Sequence, residues 1–151
     1  MNKNEFEFIM DMAIASEIEA YQFYSEVVTC VSDPSLKQIF QEFAAEEKGH
    51  QATLENLKTM EIQNFTFTVT SDYKISEATE LPRLSLKMKP AEAVALAMKK
   101  EEESMKLYRG LAAASADPEK KKLFDNLAKM EEGHKTKMEG LYTMTAFPEA
   151  W

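Results

Sequence analysis

The sequence predicts an all-α fold, a four-helix bundle in which a long crossover joins two repeated antiparallel helical hairpins. The composition favours helices, because only 4 glycines and 5 prolines occur among 151 residues. The two halves also align, with FAAEEKGH matching LAKMEEGH and AIASEIEAYQFY matching AMKKEEESMKLY. Within both halves, apolar residues recur with the helical period. A duplicated helical hairpin explains these observations together.

The first hairpin is predicted to contain two long helices that a tight break separates. Apolar residues at helical spacing predict a first helix over about residues 4–31. Ser32 or Asp33 can cap the next helix, and Pro34 suits its first turn. The second helix is therefore predicted over about residues 34–61.

The second hairpin repeats this pattern, with an Asp-Pro break at residues 117–118. Its helices are predicted over about residues 90–116 and 118–142. Residues 62–89 lack a helical stripe and include the alternating FTFTVT, which predicts a crossover with a short extended stretch. Short connections make each pair of helices antiparallel. Two such pairs packed together are predicted to form one four-helix bundle. Residues 1–151 are thus predicted to be a single domain.

The charge and composition exclude several classes of function. A net charge of −8 argues against a nucleic-acid or anionic-membrane partner. No run of about 18 apolar residues occurs, and acidic residues interrupt the N-terminal apolar stretch, so neither a membrane span nor a signal peptide is predicted. Cys30 is the only cysteine, which excludes an internal disulfide and any CxxC metal site. We therefore predict a cytoplasmic protein.

Ionisable residues interrupt the apolar face of every predicted helix. On the second helix, Phe40 and Phe43 are followed on the same face by Glu47 and His50. A single Glu-x-x-His motif is weak evidence, because it more often marks a solvated face or a satisfied core histidine. Here the motif occurs twice at equivalent positions and contains both histidines of the chain. Six residues share such repeat-related positions on four helices: Glu17, Glu47, His50, Glu101, Glu131 and His134.

These six residues predict a site for two divalent metal ions. Four buried carboxylates without a cation would each be costly to desolvate, or would have to remain protonated. Two divalent ions offset the four negative charges. One carboxylate from each helix, with an imidazole from two of them, is the ligand set of di-iron and di-manganese carboxylate proteins. Such oxygen-rich ligation suits iron or manganese better than zinc or copper.

The motifs resemble those of the ferritin-like superfamily of di-iron four-helix bundles, and within it the rubrerythrin-type domain. AIASEIEAYQFYSEV resembles the first helix of that family, with its Glu-x6-Tyr pattern. EFAAEEKGH and NLAKMEEGH resemble its Glu-x-x-His helices. The resemblance covers nearly the whole chain, apart from the crossover and the tail after Tyr142.

The resemblance implies a centre of two iron ions, with manganese or mixed occupancy as the alternative. Tyr24 and Tyr108 would donate hydrogen bonds to ligand carboxylates, and simple packing is the alternative interpretation of both. The implied ligands are the terminal glutamates Glu17 and Glu101, the bridging glutamates Glu47 and Glu131, and the histidines His50 and His134, one on each metal.

Three differences from known relatives limit what the resemblance implies. Rubrerythrins proper carry a rubredoxin-like domain whose iron is held by four cysteines, and a single cysteine cannot supply that site. Ser104 stands where they carry an additional glutamate, so the remaining ligand set also resembles that of bacterioferritin. Lys48 stands where bacterioferritin carries its haem-ligating methionine, so no haem is expected.

The function implied is a non-haem di-iron oxidoreductase that reduces hydrogen peroxide or dioxygen with electrons from a separate donor protein. One alternative is a bacterioferritin-type ferroxidase and iron-storage protein without haem. Another is a bundle that keeps metal only for its structure.

We expect a homodimer in which the crossover forms the contact. Phe65, Phe67 and Val69 would lie on one side of an extended segment, which needs an apolar surface to cover it. The crossover is long enough to return along the bundle or to pass to a partner chain. Exchange of hairpins between two chains is therefore the alternative to the unswapped dimer, which we favour.

Overall fold

The computed structural model of the protein describes residues 3–63, 84 and 90–142. These residues form four helices, α1 (Lys3–Cys30), α2 (Pro34–Gln63), α3 (Pro90–Ala114) and α4 (Pro118–Tyr142). The all-α fold class is confirmed. Most of the predicted crossover, including FTFTVT, lies outside the described residues, as does the tail after Tyr142. None of the described helices is both long enough and apolar enough to cross a membrane.

An aspartate begins the second helix of each hairpin. The Oδ1 atom of Asp33 accepts a hydrogen bond from the backbone N–H of Ser35 at 2.8 Å, and Oδ1 of Asp117 accepts one from Glu119 at 3.0 Å. These caps satisfy N–H groups that a helix start leaves free, and the proline after each aspartate needs no such partner. The short breaks fold each hairpin back on itself, so α1 lies along α2 and α3 lies along α4.

Two clusters of apolar side chains form the core, one on each side of a central polar layer. On α1, Phe6 belongs to one cluster and Phe23 to the other, with the buried Glu17 between them. The other three helices divide in the same way. One cluster includes Phe23, Phe40, Val94 and Met138, and the other includes Phe6, Leu54, Leu111 and Phe124. The middle turn of each helix is thereby left to the ionisable residues.

Leu84 is the one residue between α2 and α3 that the structure describes. Its side chain is buried in the cluster that contains Phe23, and its backbone N–H donates a 2.9 Å hydrogen bond to Oε1 of Glu19. The same oxygen of Glu19 pairs with Lys100 on α3. One point of the crossover is therefore fixed beside α1 and α3.

Candidate metal centre

All six predicted ligands lie in the central polar layer and are buried. The most exposed of them is His50, at 7%. Because each helix packs apolar turns above and below its glutamate, these turns screen the carboxylates from bulk water on both sides. The layer contains Glu17 from α1, Glu47 and His50 from α2, Glu101 from α3, and Glu131 and His134 from α4.

The six side chains form two overlapping groups of possible metal ligands. The first group contains Glu17, Glu47, His50 and Glu131, and the second contains Glu47, Glu101, Glu131 and His134. Within each group, one ligand atom per residue lies within 4.8 Å of all the others. Glu47 and Glu131 belong to both groups, so their carboxylates lie where bridging ligands would.

The two groups have nearly the same geometry. The Nδ1 atom of His50 lies 2.8 Å from Glu131, 3.6 Å from Glu17 and 3.9 Å from Glu47. These contacts join α2 to both α1 and α4, so the group depends on the packing of the whole bundle.

In the second group, Nδ1 of His134 lies 2.7 Å from Glu47, 3.6 Å from Glu101 and 3.9 Å from Glu131. The three values follow those around His50 to within 0.1 Å. The internal repeat of the sequence is therefore reproduced as an approximate two-fold relation between the two groups.

Several polar atoms in this layer have no hydrogen-bond partner among the described residues. Nδ1 of His134 and Oε1 of Glu47 are only 2.7 Å apart, yet they face each other without the geometry of a hydrogen bond. Buried polar atoms without partners cost about 1–3 kcal/mol each. A cation that accepts their lone pairs removes that cost, so the donor set fits a di-iron centre. The unpartnered atoms are Oε2 of Glu17, Oε1 of Glu47, Oε2 of Glu101 and Nδ1 of His134.

Burial and mutual repulsion shift the ionisation of the glutamates. Burial raises the pKa of Glu47 and of Glu131 well above the ordinary value, and the negative charge of Glu101 raises both further. Burial also raises the pKa of Glu17, but the neighbouring side chains of Glu47, His50 and Tyr108 outweigh it and lower the pKa. Protons thus neutralise part of the layer when no metal is bound.

The pKa of His134 is raised to about 11. Burial lowers it, but the nearby carboxylates of Glu101 and Glu47 outweigh the burial. A metal ion that binds Nδ1 has to displace this proton, so metal binding at this position is coupled to proton release.

Both predicted tyrosines contact ligand carboxylates. The hydroxyl of Tyr24 donates a 2.5 Å hydrogen bond to Oε1 of Glu101, and the hydroxyl of Tyr108 donates one of 2.5 Å to Oε1 of Glu17. Burial raises the pKa of both phenols well above the ordinary value, and the neighbouring carboxylates raise it further. Both tyrosines therefore keep their protons at neutral pH. The ring of Tyr24 also packs against Phe43, so the packing interpretation describes part of its environment.

Sequence reasoning missed Glu46, whose carboxylate contacts Nε2 of His134 from outside the layer. The available signal was the repeat, because the residue that corresponds to Glu46 in the second hairpin is Met130. The repeat therefore has a charged residue, Glu46, in the first hairpin and an apolar residue, Met130, at the equivalent position of the second.

A cavity of about 10 Å³ adjoins the carboxylates of Glu47 and Glu131, a volume that suits about one water-sized molecule. Ser16 and Ser104 also line it. Their hydroxyl oxygens are 3.4 Å apart. The cavity gives a small polar molecule room beside Glu47 and Glu131, which also line it.

The family model for rubrerythrin matches residues 9–142, a range that includes all six predicted ligands and both tyrosines. The chain belongs to the rubrerythrin family. The prediction of a rubrerythrin-type di-iron domain is thereby confirmed, and the buried Glu and His cluster fits the di-iron centre of this family.

Solved structures support the same fold for this rubrerythrin-family chain. A hypothetical protein from Pyrococcus furiosus is 28% identical, with a TM-score of 0.69, and the match covers 91% of this chain and 87% of that one. A putative ferritin-like diiron-carboxylate protein from Thermotoga maritima is 20% identical, with a TM-score of 0.73 and coverage of 91% and 93%. The ferritin-like bundle is therefore confirmed.

A third structure has the same fold within a longer chain. It is a two-domain protein from Anabaena variabilis with DJ-1/ThiJ/PfpI-like and ferritin-like domains. The match is 16% identical, has a TM-score of 0.59, and covers 94% of this chain but 37% of that one. The comparison with curated proteins gives no match.

Proposed function

We propose that this protein is a di-iron oxidoreductase that reduces hydrogen peroxide or dioxygen with electrons from a separate donor protein. The observation that carries this proposal is the pair of overlapping ligand groups that share Glu47 and Glu131. Two metal ions held this way lie close enough to act on one small molecule together. We propose iron rather than manganese as the working metal, and both fit the oxygen-rich ligands.

Bound ferrous ions would supply the two electrons that reduction of an O–O bond requires. The residues of the chain supply the other conditions of the reaction. Buried apolar clusters on both sides of the layer exclude bulk water from the reacting atoms. The bridging positions of Glu47 and Glu131 keep the two ligand groups at a fixed separation.

Reduction of one hydrogen peroxide to two waters consumes two electrons and two protons. Tyr24 and Tyr108 hold protons at hydroxyls that already contact the terminal carboxylates Glu101 and Glu17. Their raised pKa keeps these hydroxyls protonated until a stronger base develops nearby. We propose that they orient the carboxylates and deliver protons toward the reacting oxygen.

The cavity beside the bridging carboxylates supports a small substrate. Its volume of about 10 Å³ excludes organic molecules, and the hydroxyls of Ser16 and Ser104 are available to bind a peroxide or dioxygen by hydrogen bonding. The electrons then have to arrive through the surface of the bundle, which is why we propose a separate donor protein.

The proposal is tested by rapid mixing of protein loaded anaerobically with two ferrous ions per chain. We expect hydrogen peroxide to oxidise the iron faster than dioxygen, as followed by absorbance. Glu131→Gln removes a bridging charge and should lose iron binding. Glu132→Gln is the matched control, because the neighbouring Glu132 is exposed and pairs with Arg109. Wild-type protein that binds no iron would refute the proposal.

Iron storage is the second candidate. Because position 104 is a serine and not a further glutamate, the remaining four glutamates and two histidines resemble the ligand set of bacterioferritin. A storage protein should oxidise many ferrous ions per chain with dioxygen and should assemble into a large shell. Iron content after repeated additions and mass by light scattering distinguish the candidates. Two irons per chain in a small assembly favour the peroxidase.

A further inference from the structure

We propose that Glu46 positions His134 and thereby makes the metal position at His134 tighter than the position at His50. This inference rests on the di-metal centre proposed above. Glu46 lies on α2, and its carboxylate contacts Nε2 of His134 on α4. The other ring nitrogen, Nδ1, faces the carboxylates of the layer. The imidazole of His134 is therefore held between an outer carboxylate and the ligand group.

This arrangement has a known effect on a metal-binding histidine. A carboxylate beside the outer nitrogen accepts a hydrogen bond from its N–H and so fixes the tautomer and orientation of the ring. The inner nitrogen then becomes a stronger electron-pair donor to a metal ion. The inner nitrogen of His134 is the one that has no hydrogen-bond partner among the described residues. Once a metal ion displaces the proton on Nδ1, Glu46 is placed to hold the lone pair of that nitrogen toward the metal position.

Among the residues that the structure describes, none supports His50 in the same way. The residue that corresponds to Glu46 in the repeat is Met130, whose thioether is a weak acceptor and carries no charge. Among the described residues, the carboxylates that the His50 ring contacts all lie against Nδ1. Nothing that the structure describes fixes the outer nitrogen of His50.

The His50 side of the centre is also more open. A surface cleft of about 450 Å³ reaches this ring, and Glu119 at its edge makes no ion pair with His50 among the described contacts. Other residues that line the cleft are Thr53, Lys122, Asn126, Leu127 and Met130. The cleft gives a metal ion and its water a route to this position.

The metal positions at His134 and His50 differ in the residues around the ligand groups and not in the ligand groups themselves. Around each histidine, the distances to three carboxylates agree to within 0.1 Å. Each group also has three glutamates and one histidine. The order of filling is therefore set by Glu46 and Met130: the His134 position fills first, and the His50 position exchanges its ion through the cleft.

Calorimetric titration of metal-free protein with cobalt(II) tests this inference without any turnover. The wild type should bind two ions in two resolved steps. Glu46→Met gives His134 the surroundings of His50, and we expect the tight step to weaken by about 10–100-fold, as for other residues that support a ligand. Met130→Glu gives His50 the support of His134, and we expect the weak step to tighten.

Three further variants and measurements separate positioning from folding. Glu42→Met removes another carboxylate of α2, an exposed one that contacts Gln38, and should leave both steps unchanged. Glu46→Gln retains a hydrogen-bond acceptor without the charge, so its tight step should be weakened less than that of Glu46→Met. The metal-free melting temperatures of Glu46→Met and Glu42→Met should differ little, because Glu46 is only half-buried and Glu42 is exposed.

Each outcome decides between the two proposals. An unchanged tight step in Glu46→Met, or an unchanged weak step in Met130→Glu, overturns the inference while the two-metal centre stands. Wild-type protein that binds no cobalt overturns both, because the centre itself is then absent.

Discussion

Tyr24 on α1 donates a 2.5 Å hydrogen bond to Glu101 on α3, so the two hairpins are joined through a predicted metal ligand. Tyr108 on α3 makes the equivalent bond to Glu17 on α1. Each terminal glutamate is therefore oriented by a tyrosine of the other hairpin. Packing of the hairpins and alignment of the ligands are a single event, since neither bond forms unless both hairpins are in place.

The first prediction concerns this bond. Tyr24→Phe removes the hydroxyl and leaves Oε1 of Glu101 without its donor, so the free energy of unfolding should fall by about 1–3 kcal/mol. Tyr21→Phe is the control, because no hydrogen bond of the Tyr21 hydroxyl occurs among the described residues, and it should change stability by less than about 0.5 kcal/mol. Urea denaturation of the metal-free proteins measures both. Equal effects would mean that Tyr24 acts only by packing.

The second prediction concerns removal of the metal. Four carboxylates share the central layer, so chelation should lower the melting temperature. At a free metal concentration of about 100 times Kd, bound metal contributes about 2.7 kcal/mol. Scanning calorimetry with and without a chelator measures the difference. Glu47→Gln should reduce it, because this variant weakens metal binding and relieves repulsion in the metal-free form. A melting temperature that is the same with and without the chelator would contradict the prediction.

The third prediction concerns pH. The pKa values of Glu47, Glu131 and His134 are raised in the folded chain, so each contributes stability below its unfolded pKa that is lost as pH rises through its folded pKa. Glu17 has a lowered pKa, and its contribution is lost only in acid. The melting temperature of metal-free protein should therefore fall as pH rises from about 6.5 towards 11, the range over which His134 loses the proton that the folded chain retains.

Metal-loaded protein should show a smaller fall over the same range, because metal replaces the displaced protons and binds more tightly as they leave. Thermal unfolding at several pH values, with and without metal, measures the two slopes. Parallel slopes would show that the protons and the metal do not occupy the same layer.

The fourth prediction concerns assembly. We propose a homodimer with unswapped hairpins, so light scattering at micromolar concentration should give twice the mass of one chain. A monomer would refute the dimer. The swap is tested by mixing two variants, one with its Glu17 and His50 replaced by alanine and the other with Glu101 and His134 replaced.

These mixed chains distinguish the two arrangements by metal content. In an unswapped dimer, each chain supplies all six ligands of its own centre, so the mixture should hold no intact centre. In a swapped dimer, one of the two centres in each mixed pair combines only unaltered residues. Restored metal binding after co-expression would therefore establish the swap.

The repeat and the helical period were enough to predict the bundle and the central layer. Helix bounds could be predicted because aspartate caps and prolines act locally, and the caps at Asp33 and Asp117 are present. The burial of the six predicted ligands in one layer could be predicted because apolar turns surround them on every helix. Both the local signals and the long-range packing point to the same layer.

Contacts between different helices could not be predicted in the same way. Glu46 is the neighbour of Glu47, but only the placement of α4 against α2 brings it to His134. The resemblance implied that Tyr24 donates to a carboxylate, and the spacing alone does not reveal that this carboxylate belongs to the other hairpin. Contacts of this kind depend on how the helices pack together, and the helical period of one segment does not specify which residues of another helix it meets.

The approximate two-fold relation has a consequence for ancestry. Each ligand group takes three residues from one hairpin and one from the other, as with Glu17, Glu47 and His50 joined by Glu131. A solitary hairpin would therefore lack a complete set for even one ion. If the chain arose by duplication of a gene for one hairpin, that shorter ancestor would have bound metal only as a symmetric pair. Fusion then freed the two copies to diverge, and the difference between Glu46 and Met130 is a change that an identical pair could never have acquired on one side alone.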